Sequence, residues 1–291
     1  MTTASPVRLE FKESIAHIVL DQAGSRANVL SSATWSALSS AVAEIAARTD
    51  VDGLLITSAK DGIFLAGADL KELASLPMDD EAPARRVVRN GTQVLAAFES
   101  LPIPTAAAID GAALGGGLEV ALACDYRLAG NHPKLKLGLP EVKLGLIPGW
   151  GGTQRLPRII GVERGAELLV TGRAVASADA VAMGLIDRVT DSATLVRESM
   201  EVLRAAPDDD WEFRRARKQS PYGQPIDLAG AQTIVEKMVG DEQIAGQAAL
   251  RVLERGLPLP LIPAVACETD EFVLLLLSPA SRARMAAFLQ K

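Results

Sequence analysis

Cysteine and histidine are scarce in this chain, with two of each among 291 residues. Cys124 and Cys267 lie far apart in apolar surroundings, which favours packed, reduced thiols over a disulfide framework or a metal site. His17 and His132 do not form an H-E-x-x-H motif, so the ligands of a metal hydrolase are lacking. We therefore predict a protein of the reducing cytoplasm that binds no metal.

Dense positive charge and long apolar runs are also missing. The net charge is -6 and the sequence pI is near 5.2, with Lys and Arg scattered along the chain, so the electrostatic footprint of a nucleic-acid-binding protein is absent. The apolar run FVLLLL ends at Leu277 and is far shorter than the ~20 residues of a membrane span. The N-terminal stretch MTTASPVRLEFKES lacks the regions of a signal peptide. We expect a soluble protein with neither a nucleic-acid nor a membrane partner.

Common cofactor and nucleophile motifs are absent as well. No G-x-x-x-x-G-K-[ST] phosphate loop occurs, and the glycines at residues 115–117 fail the dinucleotide motif because Val120 takes the place of its third glycine. A Ser-His-Asp enzyme would need G-x-S-x-G or a well-placed histidine, and the chain has neither. Acid and base catalysis would therefore fall to carboxylates.

Short strands and helices alternate through most of the chain, which indicates an α/β fold. IAHIVLD and VDGLLITSA have the branched, apolar character of strands, and TWSALSSAVAEIAARTD has helical spacing. Beyond residue 190 the patterns are helical only. We therefore divide the chain into a core, residues 1–190, and a C-terminal helical region, residues 191–291. The basic run RRARK at residues 214–218 is interpreted as a solvated helix face, with an interaction surface as the alternative.

The stretch GAALGGGLEVALACDYRL contains a carboxylate in an apolar setting. Glu119 is the only ionised group between Asp110 and Asp125, and burying such an acid without a partner is costly. Three glycines open the predicted helix, where backbone N–H groups point outward at the positive end of the dipole and could hold an oxyanion. The alternative is that the glycines only permit tight packing against a strand.

Two further segments supply similar chemistry. FLAGADLKEL has a turn of small residues whose amides could be free, although Asp69 could simply be the N-cap of the next helix. In LGLPEVKLGLIPGWGG, Glu141 lies in an apolar context, with a surface pair to Lys143 or Lys136 as the alternative. Together, two acids and two sets of backbone donors suit proton transfer beside a carbonyl.

Three stretches, in this order, resemble the enoyl-CoA hydratase/isomerase (crotonase) superfamily: IFLAGADLKEL, AIDGAALGGGLEVALACDYRLA and LGLPEVKLGLIPGWGGTQRLPRIIG. The resemblance covers residues 7–189 and is strongest to the hydratase portion of multifunctional fatty-acid oxidation proteins. It implies a crotonase-like spiral of repeated β-β-α units followed by a C-terminal helical region. It also implies a lyase, an enoyl-CoA hydratase that adds water to trans-2-enoyl-CoA in fatty-acid β-oxidation.

The resemblance assigns roles to individual positions. Glu119 and Glu141 match the two catalytic glutamates, and the amides of Ala68 and Gly116 match the oxyanion hole. Contacts to coenzyme A or the acyl group fall on a third set: Arg26, Ala27, Val29, Ala66, Asp69, Leu70, Gly115, Pro140 and Leu144. Trp150 is a further candidate for the acyl channel or a plain core residue. Coenzyme A is part of the substrate, so no separate cofactor is expected.

Other functions and assemblies stay open at this point. A Δ3-Δ2-enoyl-CoA isomerase could use the same pocket with one base, and a crotonase fold could act as a non-catalytic scaffold or RNA-binding module. The acidic net charge and the two glutamates favour the hydratase. The resemblance implies a homotrimer or hexamer, or a chain that forms part of a larger multifunctional protein.

Overall fold

The computed structural model describes residues 5–206 and 210–290. Its strands are β1 (Val7–Lys12), β2 (Ile15–Leu20), β3 (Gly53–Ser58), β4 (Ile63–Leu65), β5 (Thr105–Ile109), β6 (Ala112–Leu114), β7 (Tyr126–Gly130), β8 (Lys136–Gly138) and β9 (Arg188–Thr190). Its helices in the first two thirds of the chain are α1 (Ser32–Ala46), α2 (Leu70–Ser75), α3 (Glu81–Ser100), α4 (Gly116–Ala123), α5 (Gly152–Ile160), α6 (Val162–Thr171) and α7 (Ser177–Ala182). The later helices are α8 (Leu195–Ala205), α9 (Trp211–Gln219), α10 (Ala229–Glu236), α11 (Gly240–Gly256), α12 (Leu261–Leu276) and α13 (Pro279–Leu289). A 3-10 helix spans Pro140–Leu144.

The strands are shared between two sheets. A six-stranded sheet has the order β1-β2-β3-β5-β7-β9, and a three-stranded sheet has the order β4-β6-β8. Within the larger sheet, β1 pairs with β2 in the antiparallel direction, and all other neighbouring strands pair in parallel. Consecutive strands therefore alternate between the two sheets, with one strand of each pair in each sheet and a helical segment after the pair. The pairs are β3 with β4, β5 with β6, and β7 with β8. This is the predicted spiral of β-β-α units, and the predicted fold class is confirmed.

Helices cover both faces of the larger sheet, which explains why β2, β5 and β7 are buried along their whole length. On one face, Leu55 and Leu128 of the sheet pack against Leu195, Met200 and Leu203 of α8. The other face belongs to a larger core that includes the small sheet and the helices around it. The larger sheet is thus a buried layer between α8 and the larger core.

The C-terminal helices fold back onto the rest of the chain. Helix α12 packs against α3 and α5, and α13 packs against α2 and the 3-10 helix. The guanidinium of Arg282 donates to the carbonyl oxygens of Leu73 and Leu76 at 2.7 and 2.6 Å, which joins α13 to the end of α2. Among the described residues only helices follow β9, and the division of the chain into two units at residue 190 stays a prediction.

The basic run at residues 214–218 is only in part the solvated helix face that its composition suggested: Arg217 is exposed, but two other cations of the run are not. Arg215 and Lys218 are buried on α9. Arg215 pairs with the carboxylate of Asp125 at 2.5 Å, and Lys218 Nζ donates to the carbonyl oxygens of Ala123 and Cys124 at 2.7 and 2.8 Å. Lys218 thus places its positive charge at the carbonyl end of α4, a position that favours cations. No helix in the described ranges has both the length and the apolar composition of a membrane span.

Candidate active site

The three strands of the small sheet bring the candidate site together. β4, β6 and β8 are parallel and adjacent, with β6 in the centre, so their carboxyl ends lie at one edge. The loop at residues 66–69 follows β4, the glycine triplet and α4 follow β6, and the 3-10 helix that carries Glu141 follows β8. The topology thus explains how segments far apart in sequence meet.

Two backbone amides at this edge have no acceptor among the described residues. Ala68 N and Gly116 N donate to no protein acceptor in the described parts of the chain, and Gly116 opens α4, where the first-turn N–H groups lack intrahelical partners. The two loops are in contact, because a Cβ atom built at Gly67 would lie 3.7 Å from Gly116 N. Gly67 itself has φ 98, a conformation that favours glycine. The arrangement provides two neighbouring donors for one anionic oxygen.

Glu119 lies in the first turn of α4 and is almost completely buried, at 1% exposure. Its Oε1 accepts hydrogen bonds from Trp150 N at 2.8 Å and from Gly152 N at 2.7 Å, while its buried Oε2 has no protein partner among the described residues. Burial raises the pKa of Glu119 from 4.5 to about 7, against the opposing effects of the two amides and of the Arg155 charge. One oxygen is therefore anchored and the other is available.

Glu141 faces the same space from the 3-10 helix. Its Oε1 lies 2.8 Å from the position that a Cβ atom of Gly115 would take, so the carboxylate packs against the glycine triplet. Its Oε2 is buried and, within the described ranges, unpartnered. Burial, followed by the negative charge of Glu119, raises the pKa of Glu141 well above its ordinary value. The alternative surface pairing is wrong, since no ion pair of the described residues joins Glu141 to Lys143 or Lys136.

Two acids with raised pKa values stand beside the two amides, and within the described ranges one oxygen of each acid has no partner. Carboxyl groups whose pKa values are raised above the ordinary range are better suited to give and take protons at ordinary pH. Amides that are preorganised in a buried site stabilise negative charge on a carbonyl oxygen without reorganisation. The geometry is suited to proton transfer at carbon atoms next to a carbonyl group.

The residues predicted to contact coenzyme A lie along one edge of this site. The backbone of residues 28–30 pairs with the loop after β4: Ala66 N donates to Asn28 O at 2.9 Å, and Leu30 N donates to Gly67 O at 2.8 Å. Arg26 and Ala66 are exposed, while Ala27 and Val29 are half-buried. The two segments thus lie side by side, as the resemblance implied, and their contacts with coenzyme A stay a prediction.

The remaining predicted contact residues have mixed surroundings. The side chain of Asp69 accepts from Lys71 N at 2.9 Å and from Glu72 N at 3.2 Å, which is the N-cap arrangement considered from the sequence. Leu70 and Leu144 are half-buried against the core, and Pro140 is the half-buried first residue of the 3-10 helix. Gly115 has φ 54 and turns the chain into α4.

One buried acid in this region was not predicted from the sequence. Glu268 of α12 is fully buried, and both of its oxygens accept hydrogen bonds from the segment that also binds Glu119. Burial, followed by the negative charge of Glu119, raises its pKa from 4.5 to about 8. A signal was present in the sequence: Glu268 falls at helical spacing between Val265 and Phe272, on the stripe that forms the buried face of α12.

Comparison with known proteins agrees with this architecture. The family model for enoyl-CoA hydratase/isomerase matches residues 10–218. An enoyl-CoA hydratase from Bacillus anthracis is 29% identical, with 98% of this chain and 96% of that chain covered and a TM-score of 0.63. An enoyl-CoA hydratase from Geobacillus kaustophilus is 27% identical, with 99% and 95% covered and a TM-score of 0.64. A carnitinyl-CoA dehydratase from Mycobacterium thermoresistibile, at 21% identity, shares the fold, with 98% and 89% covered and a TM-score of 0.77. The chain belongs to the enoyl-CoA hydratase/isomerase family.

Proposed function

We propose that this chain is an enoyl-CoA hydratase that adds water to a trans-2-enoyl-CoA to form a 3-hydroxyacyl-CoA. The observation that carries the proposal is the pair Glu119 and Glu141, each with a buried Oε2 that has no partner among the described residues, beside the amides of Ala68 and Gly116. The similarity to hydratases from two bacilli agrees with it. Fatty-acid β-oxidation as the pathway and the cytoplasm as the compartment belong to the same proposal.

In this mechanism the thioester oxygen accepts hydrogen bonds from Ala68 N and Gly116 N. Negative charge builds on that oxygen as water attacks C3, and two preorganised amides stabilise it. The amide of Gly116 is especially suitable because it lies at the N-terminus of α4, where the helix dipole is positive. The substrate carbonyl would thereby become polarised toward an enolate.

The two glutamates divide the proton transfers. Glu119, held through Oε1 by two amides, uses its free Oε2 to orient the water and to take its proton as the oxygen–C3 bond forms. Glu141 delivers a proton to C2, so that water is added across the double bond and no proton is gained or lost overall. The raised pKa of Glu141 supports this role, because it favours the protonated acid that such a step requires.

The remaining contacts in the proposal are to the rest of the substrate. The paired segments at residues 26–30 and 66–70 would bind the coenzyme A portion, with Arg26 near its phosphates. Pro140 and Leu144 would border the acyl group. Their half-buried state agrees with surfaces that a bound substrate would cover.

The direct test is incubation with crotonyl-CoA, following the loss of absorbance of the conjugated enoyl thioester. A hydratase removes this absorbance and forms 3-hydroxybutyryl-CoA, which chromatography identifies. A 3-enoyl-CoA offered in parallel measures isomerase activity, and preference for it over crotonyl-CoA would replace the hydratase by the isomerase. Absence of turnover with enoyl-CoA substrates of several chain lengths would contradict the enzyme and favour a scaffold.

A further inference from the structure

Two buried carboxylates bind alternate amides of one short segment, residues 150–153. Trp150 N and Gly152 N donate to Oε1 of Glu119, at 2.8 and 2.7 Å. Gly151 N and Thr153 N donate to Oε1 and Oε2 of Glu268, at 2.6 and 2.9 Å. Four successive N–H groups are thus shared in turn between an acid of α4 and an acid of α12.

The segment has the geometry that this alternation requires. It forms the N-terminus of α5, whose first N–H groups have no acceptors within the helix. Gly151 has φ 95, a left-handed conformation that a residue with a side chain rarely adopts, and the chain turns there. The amides of the turn consequently need acceptors from outside, and the two glutamates provide them from different helices.

In the described parts of the chain, Glu268 accepts hydrogen bonds from this segment alone. It is fully buried, and its Oε2 also accepts from Thr153 Oγ1 at 2.5 Å, so both oxygens are occupied by the segment. Other charged groups that face it are Glu119 of α4, Glu141 of the 3-10 helix and Arg155 of α5. The guanidinium of Arg155 is paired with Glu99 of α3 at 2.7 Å. Glu268 therefore faces more negative than positive charge, which is an expensive arrangement for a residue that only fills space.

We propose that Glu268 is a positioning residue of the active site: it holds segment 150–153 so that the amides of Trp150 and Gly152 face Glu119. This inference deepens the proposed function and rests on it. Because the two amides fix Oε1 of Glu119, they also determine where the free Oε2 points. The C-terminal helical region thereby contributes, through α12, to the placement of the proposed base.

The first experiment compares Glu268→Gln with Glu271→Gln. Both variants replace a glutamate on α12, but Glu271 pairs with Arg251 at 2.8 Å, away from the segment. A glutamine at position 268 has only one acceptor oxygen, and its NH₂ group would face one of the N–H donors of the segment. One hydrogen bond to the segment is therefore lost. The kcat and KM for crotonyl-CoA are measured for both variants and the wild type across the pH range.

The expected result is a selective loss of turnover. Glu268→Gln lowers kcat ~10- to 100-fold, because small misplacement of a catalytic group has effects of this size, while KM changes little. Its pH profile of kcat also differs from that of the wild type above about pH 8, where Glu268 is ionised and its negative charge helps to raise the pKa of Glu141, whereas a glutamine stays neutral. Glu271→Gln leaves kcat and the pH profile unchanged. Equal kcat and equal pH profiles in both variants would overturn the proposal.

Thr153 provides a milder variant in case Glu268→Gln does not fold. Thr153→Val removes the hydroxyl that donates to Glu268 and keeps the shape, whereas Thr153→Ser keeps the donor. We expect a smaller loss of kcat in Thr153→Val and recovery in Thr153→Ser. Equal loss in both would indicate that packing of the methyl group matters instead, and would contradict the proposal.

Amide hydrogen exchange separates this inference from the proposed reaction. Exchange in a peptide that covers residues 150–153 is expected to be faster in Glu268→Gln than in Glu271→Gln, whatever substrate the enzyme uses. If the wild type turns over no enoyl-CoA but this difference is found, the hydratase proposal fails and the positioning role is supported. If the wild type is active and exchange is equal in the two variants, the positioning role alone is overturned.

Discussion

The indole ring of Trp150 lies directly against Gly91 of α3, where a Cβ atom would overlap Nε1 and Cδ1 of the ring. The other side of the ring covers Gly116, since a Cβ atom built there would lie 2.6 Å from Cζ3 of Trp150. Trp150 also packs edge-on against Trp35, with ring centroids 5.0 Å apart. The ring therefore connects α3 with the proposed oxyanion hole, and the backbone of the same residue donates to Glu119.

Gly91→Ala is expected to destabilise the protein and to lower its activity. A methyl group would improve helix propensity by about 1 kcal/mol, but overpacking against a fixed ring costs ~1–3 kcal/mol, so we expect a net loss of up to about 2 kcal/mol. Displacement of Trp150 would disturb Glu119 as well. Urea denaturation and the crotonyl-CoA assay measure the two effects.

Gly230→Ala is the matched control for that substitution. Gly230 is also in a helix, α10, and a Cβ atom there would meet no heavy atom within 4 Å. Its replacement should leave activity unchanged and stability equal or slightly higher. If Gly91→Ala behaves like Gly230→Ala, the close fit of Trp150 against α3 is wrong.

Glu119→Gln and Glu141→Gln are each expected to lower hydratase turnover at least ~100-fold, the usual contribution of a positioned acid or base. Glu119→Gln should fold well, because a single oxygen, Oε1, accepts both amides and a glutamine can keep that oxygen in place. Circular dichroism checks the fold and the crotonyl-CoA assay checks the turnover. Near-normal turnover in both variants would exclude the proposed mechanism.

The spiral and the site positions could be predicted because their signals are local. Glycine turns, strand-like runs and helical spacing each occur within a few residues, and the resemblance supplied their order. The structure places Ala68, Gly116, Glu119 and Glu141 at one edge of the small sheet, as that order implied. The parallel pairing of β4, β6 and β8 is the physical reason that they meet.

Contacts between distant segments were harder to predict. Glu268 binds segment 150–153, which lies more than one hundred positions earlier in the chain. The sequence of α12 contains no signal that would identify this segment as its partner. The run RRARK has the composition of a surface, yet Arg215 and Lys218 point into the core because Asp125 and the carbonyl end of α4 lie there. Burial of a charge is decided by its partner, and the partner here comes from another part of the chain.

The raised pKa of Glu119 predicts a pH dependence of stability. The folded protein holds this proton more tightly than the unfolded chain, because the pKa rises from 4.5 to about 7. The resulting stabilisation is complete below the unfolded pKa and is lost as the pH rises through the folded pKa. The free energy of unfolding of the wild type, relative to Glu119→Gln, should therefore fall between about pH 5 and about pH 7.5. Urea denaturation at several pH values measures it, and a difference that stays constant or rises would contradict the raised pKa.

The ion pair between Arg155 and Glu99 predicts a large loss of stability when one partner is removed. Both side chains are only 3% exposed, and their charges are 2.7 Å apart. Arg155→Met would leave Glu99 buried with a weaker partner, Lys218 at 3.9 Å, and should cost ~3–5 kcal/mol. It also frees the Trp150 carbonyl oxygen, which accepts from Arg155 at 2.7 Å. In urea denaturation, Glu99→Leu combined with Arg155→Met should recover part of the loss, and an additive loss would show that the pair is not coupled.

Ala68→Pro tests the proposed oxyanion hole without adding a charged or bulky group. Proline has no N–H, so one of the two free donors disappears, and the preceding Gly67 tolerates an unusual backbone conformation. Loss of one such donor typically lowers kcat by ~10²–10³. Ala68→Ser keeps the N–H at the same position and should retain most of the activity. The crotonyl-CoA assay compares the two variants, with thermal unfolding as the check on folding. If both variants lose activity equally while remaining folded, the side chain at position 68 matters and the amide does not, which would remove Ala68 from the oxyanion hole.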